Sequence, residues 1–182
     1  MPIAGFSRPG DGVGNRKSIN SIQKVSVAYL NTKLVNVTIG SIDPNKTIVI
    51  LDYGNPLPTN IAYNITPEII NNTTIQLTST SASINNINVG LTIIEFNNVK
   101  SKQSGTYTST SSATVTGINY NITIASINPS KAIALAYYAD SSSGGSVQPT
   151  ITSFPNATTL NILAWDGTGY TGWLKWQVLE FL

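Results

Sequence analysis

The stretch "VTIGSIDPNKTIVILDY", Val37 to Tyr53, returns 85 residues later as "ITIASINPSKAIALAYY", Ile122 to Tyr138. Aligning 36–53 with 121–138 gives nine identities in eighteen positions: Asn36/Asn121, Thr38/Thr123, Ile39/Ile124, Ser41/Ser126, Ile42/Ile127, Pro44/Pro129, Lys46/Lys131, Ile48/Ile133 and Tyr53/Tyr138. The same offset matches "TTIQL" at 73–77 to "TTLNI" at 158–162, and "IIEF" at 93–96 to "VLEF" at 178–181. One offset surviving three separated blocks implies an internal duplication. The period is too long for a solenoid repeat and suits a small domain. The expected organisation is an extended basic arm over 1–18, one repeat over 19–98 and a second over 99–182.

Each repeat reads as β-structure. "NVTIGSI" and "YNITIASI" alternate, putting Val37 and Ile39, then Ile122 and Ile124, on one face. "DPNK" and "NPSK" are turn chemistry: Asp43 or Asn128 can bond its own downstream backbone, and Pro44 or Pro129 presets φ. Apolar strands follow, with opening strands expected near 21–30 and 104–110. No stretch offers a capped ten-residue apolar pattern at helical period. Charged residues are only 10% of the chain, and Ser, Thr and Asn fill polar positions that suit strands and turns. The fold class expected is all-β: two tandem antiparallel β-sandwich domains of similar fold behind an N-terminal arm. Ile39, Ile42, Ile48 and Ile94 should then overlie Ile124, Ile127, Ile133 and Leu179 in equivalent cores.

The last strand of each repeat is apolar on both faces. Ile93 and Val178 point one way, and Ile94, Phe96, Leu179 and Phe181 the other. One face belongs to the sandwich core; the sister repeat, the arm or another subunit must cover the other. The arm is the basic part of the chain. Residues 1–33 carry Arg8, Arg16, Lys17, Lys24 and Lys33 against Asp11, while the remainder is net negative. Its "RPGDGVGNRK" is too Gly-rich and polar to pack a core. It reads either as a frayed terminus or as an attachment arm using Arg8, Arg16 and Lys17 on a neighbouring subunit. No apolar segment heads the chain, so no secretory signal is expected, and the longest apolar run, Ala132–Ala139, is far short of a membrane span.

The chain contains no histidine and no cysteine. That removes Ser-His-Asp and Cys-His nucleophilic sites and the usual zinc ligand sets. Its eight acids are scattered: Asp11, Asp43, Asp52, Glu68, Glu95, Asp140, Asp166 and Glu180. Asp43 and Asp52 become Asn128 and Tyr137 in the second copy, so neither carboxylate is a property of the repeat. Glu95 and Glu180 are shared, but they sit inside apolar strands and read as hydrogen-bonded structural acids rather than a glycosidase pair. "SSSGGS" at 141–146 lacks the Lys and helix of a phosphate loop. No catalytic residue, metal site or cofactor is expected, and a net charge of +2 gives no case for nucleic acid.

The stretch "WDGTGYTGW" places Trp165, Tyr170 and Trp173 around a Gly-rich hairpin loop, a candidate glycan-stacking site. The structural alternative puts Trp176 in the core and pairs Trp165 with Trp173 across the hairpin.

The pattern S-I-[DN]-P-x-K, a Thr-Thr strand and a terminal "WQVLEF" together resemble small β-domains encoded among the virion genes of tailed bacteriophages. "INSIQKV" (Ile19 to Val25) is similar to their opening strand. The second repeat matches at Trp176, Gln177, Val178, Glu180 and Phe181. The first departs, with Leu91 and Thr92 in place of Trp and Gln, and keeps Ile93, Glu95 and Phe96. The resemblance implies a non-enzymatic virion structural protein of the capsid-decoration or head-fibre type, contacting other capsid or tail proteins. The thin charge and the terminal strands apolar on both faces predict a homo-oligomer, and the resemblance favours a trimer because such attachment points are often threefold. The competing expectation is a tail-associated module binding a surface glycan or host receptor. Neither reading calls for a cofactor, a nucleic acid or a membrane.

Overall fold

The computed structural model describes residues 18–29, 33–53, 65–79, 87–109, 118–140, 150–164 and 172–182. Among them are twelve strands: β1 (Ile19–Tyr29), β2 (Leu34–Thr38), β3 (Thr47–Tyr53), β4 (Ile65–Asn71), β5 (Thr74–Ser79), β6 (Ile87–Phe96), β7 (Val99–Ser109), β8 (Ile118–Thr123), β9 (Ala132–Asp140), β10 (Thr150–Asn156), β11 (Thr159–Ala164) and β12 (Gly172–Phe181). They form four three-stranded antiparallel sheets, ordered β1-β6-β3, β2-β5-β4, β7-β12-β9 and β8-β11-β10. The protein is all-β. The first two sheets use only residues 19–96 and the last two only residues 99–181, in the same strand order.

Each pair of sheets encloses its own core. In the first half Val37, Ile75 and Leu77 of the β2-β5-β4 sheet meet Val49, Val89, Leu91 and Ile93 of the β1-β6-β3 sheet. In the second half Ile122, Leu160 and Ile162 meet Leu174, Trp176 and Val178. These are the alternate, inward positions of each strand, as a half-buried sheet requires. Burying each such side chain contributes about 1.5–3 kcal/mol.

The shared turn forms as its sequence dictates. Asp43 Oδ1 accepts from the Asn45 N–H (2.9 Å), and Asn128 Oδ1 from the Ser130 N–H (3.1 Å). Each caps a single 3-10 turn, Pro44–Lys46 or Pro129–Lys131, with proline in the first positions. A second matched turn follows β4 and β10, where Asn71 and Asn156 accept from the N–H groups of Thr73 and Thr158.

Two sequence expectations need correction. The second opening strand starts at Val99, not near 104. Ser21 lies opposite Glu95 and Ser101 opposite Glu180, so β1 and β7 correspond at an offset of 80 residues while every later strand keeps 85. The difference is taken up between β7 and β8. The four expected core pairs also divide. Ile39/Ile124 and Ile42/Ile127 are buried in both copies. Ile48 and Ile94 instead lie on the outward face of their sheet, and their environments differ from those of their partners. Ile48 is 4% exposed where Ile133 is 38%, and Ile94 is half-buried where Leu179 is fully buried. The duplication explains the cores; the outward faces have diverged.

Candidate functional site

The shared acid is structural. Glu95 Oε1 accepts the Asp43 N–H (3.0 Å), and its Oε2 accepts from Asn20 Nδ2 (2.8 Å) and Ser21 Oγ (3.1 Å). Glu180 repeats this: Oε1 takes the Asn128 N–H and Lys100 Nζ (both 2.9 Å), and Oε2 takes Ser101 Oγ (3.1 Å). One carboxylate thus ties the 3-10 turn to the opening strand. The hydrogen bond from Lys100, followed by that from the Asn128 N–H, holds the Glu180 carboxyl below the ordinary range against the opposing effect of burial. A shared glutamine does a parallel job. Gln23 accepts from the Gly40 N–H (2.7 Å) and donates to its C=O (3.2 Å); Gln103 does the same at Ala125 (2.7 and 3.0 Å).

The residues that differ between the copies come together where the halves meet. Lys102 of β7 stands where the first half has Ile22, and its Nζ donates to the backbone oxygens of Pro44 (2.8 Å) and Thr47 (2.7 Å). Tyr137 of β9 replaces Asp52. Its hydroxyl donates to the Val49 C=O (2.7 Å) and accepts from the Leu51 N–H (3.4 Å), satisfying groups on the outer edge of β3. Lys175 of β12 replaces Gly90 and pairs with Glu68 of β4, which is Ser153 in the second copy. Phe96 and Phe181 meet edge to face, with centroids 5.2 Å apart. The second face of β12, carrying the buried Gln177 and Leu179, is therefore closed by the sister half.

The β9 edge is not available for the same use. Thr150 and Thr152 of β10 donate to the carbonyls of Ala136 and Ala134, the counterparts of Leu51 and Val49. In the first half Ile65 and Pro67 occupy those threonine positions, so the β3 carbonyl at Val49 is met from the other half.

A cleft of about 210 Å³ opens along this seam. Pro67, Glu68 and Ile69 form one wall; Lys102, Ser104, Thr106, Lys175 and Gln177 form the other, over Gly105 and Trp176. Burial pushes the Lys102 ammonium down to about 8, partly offset by the negative charge of Asp43. Burial also pushes the Tyr137 phenol up to about 12, against the Leu51 N–H. Gln177 is 8% exposed, and its Oε1 has no partner among the described residues.

The sequence-expected site residues are only partly placed. Arg8, Arg16, Lys17, Trp165 and Tyr170 lie outside the described residues. Trp173 is half-buried at the start of β12, with a buried Nε1 that has no partner among the described residues. Trp176 fills the core of the second half. Lys102, Tyr137, Lys175 and Glu68 were missed by motif reasoning. The signal that finds them is the set of departures between copies. Among the described residues no cluster of three or more potential metal ligands occurs, and no helix is long and apolar enough to cross a membrane. Comparison with known proteins finds no matching family model, no matching curated protein and no matching solved structure.

Proposed function

We propose that the protein is a non-enzymatic structural component of a bacteriophage virion, with capsid decoration of the head-fibre type as its role. The observation that carries this reading is how the shared polar residues are used. Glu95/Glu180, Gln23/Gln103 and Asp43/Asn128 all bond the protein's own backbone and opening strands, and the unshared ones lock two repeats together. A chain whose recurring glutamate, glutamine and turn-capping residues serve its own architecture suits a building block. The terminal "WQVLEF" and its resemblance to virion β-domains give the setting. Purified particles from the phage encoding the chain supply the test: cryo-electron microscopy and peptide mapping should find it on the head, and its absence from the particle sinks the proposal.

The same reading includes self-association, as a trimer attached through Arg8, Arg16 and Lys17. Only 10% of residues are charged, and Ile22 is 54% exposed on the outward face of β1, which leaves apolar surface for a symmetry mate to cover. Light scattering with and without residues 1–18 should show a trimer, with particle attachment lost on truncation. A monomer at tens of micromolar whose attachment survives truncation defeats this part.

A second reading, a tail-associated carbohydrate- or receptor-binding module, is favoured by Trp173, which follows a Gly-rich stretch of sequence and whose half-buried indole carries a buried Nε1 with no partner among the described residues. Saturable glycan-array binding lost in Trp173→Ala would select it.

A further inference from the structure

We infer that the seam cleft is a binding site for a sugar acid: one pyranose-sized ligand carrying a carboxylate and several hydroxyls. The site stands whether or not the chain resides in a virion.

Size and place come first. About 210 Å³ is room for roughly seven waters, or for one six-membered sugar ring. Seams between packed units are a common place for small-molecule sites. Charge comes second. The cleft holds two cations, Lys102 and Lys175, against one carboxylate, Glu68, so it carries a surplus positive charge. Lys102 donates two of its three ammonium hydrogens to the oxygens of Pro44 and Thr47, which leaves one to give. Burial outweighs the pull of Asp43 and lowers the ammonium to about 8, so its charge is only partly compensated. A ligand carboxylate would complete the compensation; a neutral ligand would desolvate the ammonium further.

Hydroxyl recognition comes third. Ser104 and Thr106 are exposed, at alternate positions of β7 on the same face as Lys102, which places their side chains along the cleft wall. The Gln177 amide lines the same wall, more than nine-tenths buried, and its oxygen has no partner among the described residues. A buried amide oxygen left unbonded is costly; this oxygen is covered, so the amide must turn toward the cleft for a ligand hydroxyl to satisfy it. Phosphate would use the lysines but leave Gln177 unanswered. A neutral sugar would use the hydroxyls but not the charge. The first half has Ile22, Lys24, Gly90 and Thr92 where the cleft has Lys102, Ser104, Lys175 and Gln177, so the site arises once per chain.

The test is a titration of the full-length chain with glucuronate, followed by backbone amide NMR shifts. Glucose and acetate serve as parallel probes. Glucuronate should saturate shifts centred on Ser104, Gly105, Thr106, Lys175 and Gln177, about tenfold more tightly than either probe. Two variants should move in opposite directions. Ser104→Ala/Thr106→Ala should weaken glucuronate about tenfold, and Glu68→Gln should strengthen it several-fold by removing the competing carboxylate. A general loss of folding would weaken both variants, so the opposed signs isolate the site. The inference is overturned by no response, by shifts centred elsewhere, by equal binding of acetate or glucose, or by weakening in Glu68→Gln.

Discussion

Glu95 and Glu180 sit in apolar strands, and each gathers donors from a turn and a strand some fifty and eighty residues away. Removing such an acceptor strands partly buried donors, so Glu95→Ala should cost about 1–3 kcal/mol by urea denaturation, and Glu180→Ala should destabilise in the same sense. The Glu180 carboxyl is held low in the fold. Its stabilising contribution is therefore present above the ordinary carboxylate value and disappears as pH falls through the folded value. Glu180→Gln should flatten the acid limb of the stability curve. At high pH two seam residues act with opposite sign. Lys102 is about 8 folded against 10.5 ordinarily, so the unfolded chain holds the proton longer and stability rises between those values. Tyr137 is raised from 10.0 to about 12, so its contribution is lost as pH climbs through that window. Between them these two groups should make stability rise above about pH 8 and fall again above about pH 10. Lys102→Met should remove the rise and Tyr137→Phe the fall; a curve that neither substitution alters would refute this account.

At the scale of elements, strands and turns were legible because their chemistry is local. Alternating Val37 and Ile39, the Asp43-Pro44 turn and the inward Ile93 and Val178 each follow from neighbours in the chain. The opening strand of the second half was misplaced because "VKSKQSGTYTS" has little apolar alternation. Its register is fixed by Glu180 and Gln103, contacts remote in sequence. The terminal Trp also acquires its reason here. Trp176 lies opposite Gly105 in the ladder, where a Cβ would approach its ring to 2.8 Å. The same place in the first half pairs Leu91 with Val25. Large-with-none and medium-with-medium fill comparable space, so the departure of the first copy from the WQVLEF pattern is a matched exchange. Gly105→Val alone should destabilise by about 1–3 kcal/mol through overpacking. Adding Trp176→Leu should recover most of that, as thermal unfolding of the single and double variants will show. A double variant as unstable as the sum of the singles would reject the exchange.

At the scale of the whole molecule, the duplication was visible in the sequence but the joining of the halves was not. The joining residues are those that break the repeat, and such breaks carry no motif. Asp52/Tyr137 illustrates this: the substitution correctly dismissed Asp52 as a repeat carboxylate, yet it also brought the hydroxyl that bridges Val49 and Leu51. Each lock is a side chain of the second half reaching into the first. Lys102 reaches the 3-10 turn, Tyr137 reaches β3, and Lys175 reaches β4. The corresponding β9 edge is occupied by Thr150 and Thr152, so the second half does not present the receiving surface of the first. With Leu179 and Gln177 buried at the seam, the halves should unfold together in one calorimetric transition. Glu68→Lys places a third cation beside Lys102 and Lys175 while leaving both cores untouched. Like charges forced together in a partly buried seam cost more than the loss of the ion pair alone. That variant should divide the single transition into two, one for each core, with the higher close to wild type. If Glu68→Lys still melts in one transition at an unchanged midpoint, the Glu68–Lys175 pair does not hold the halves together.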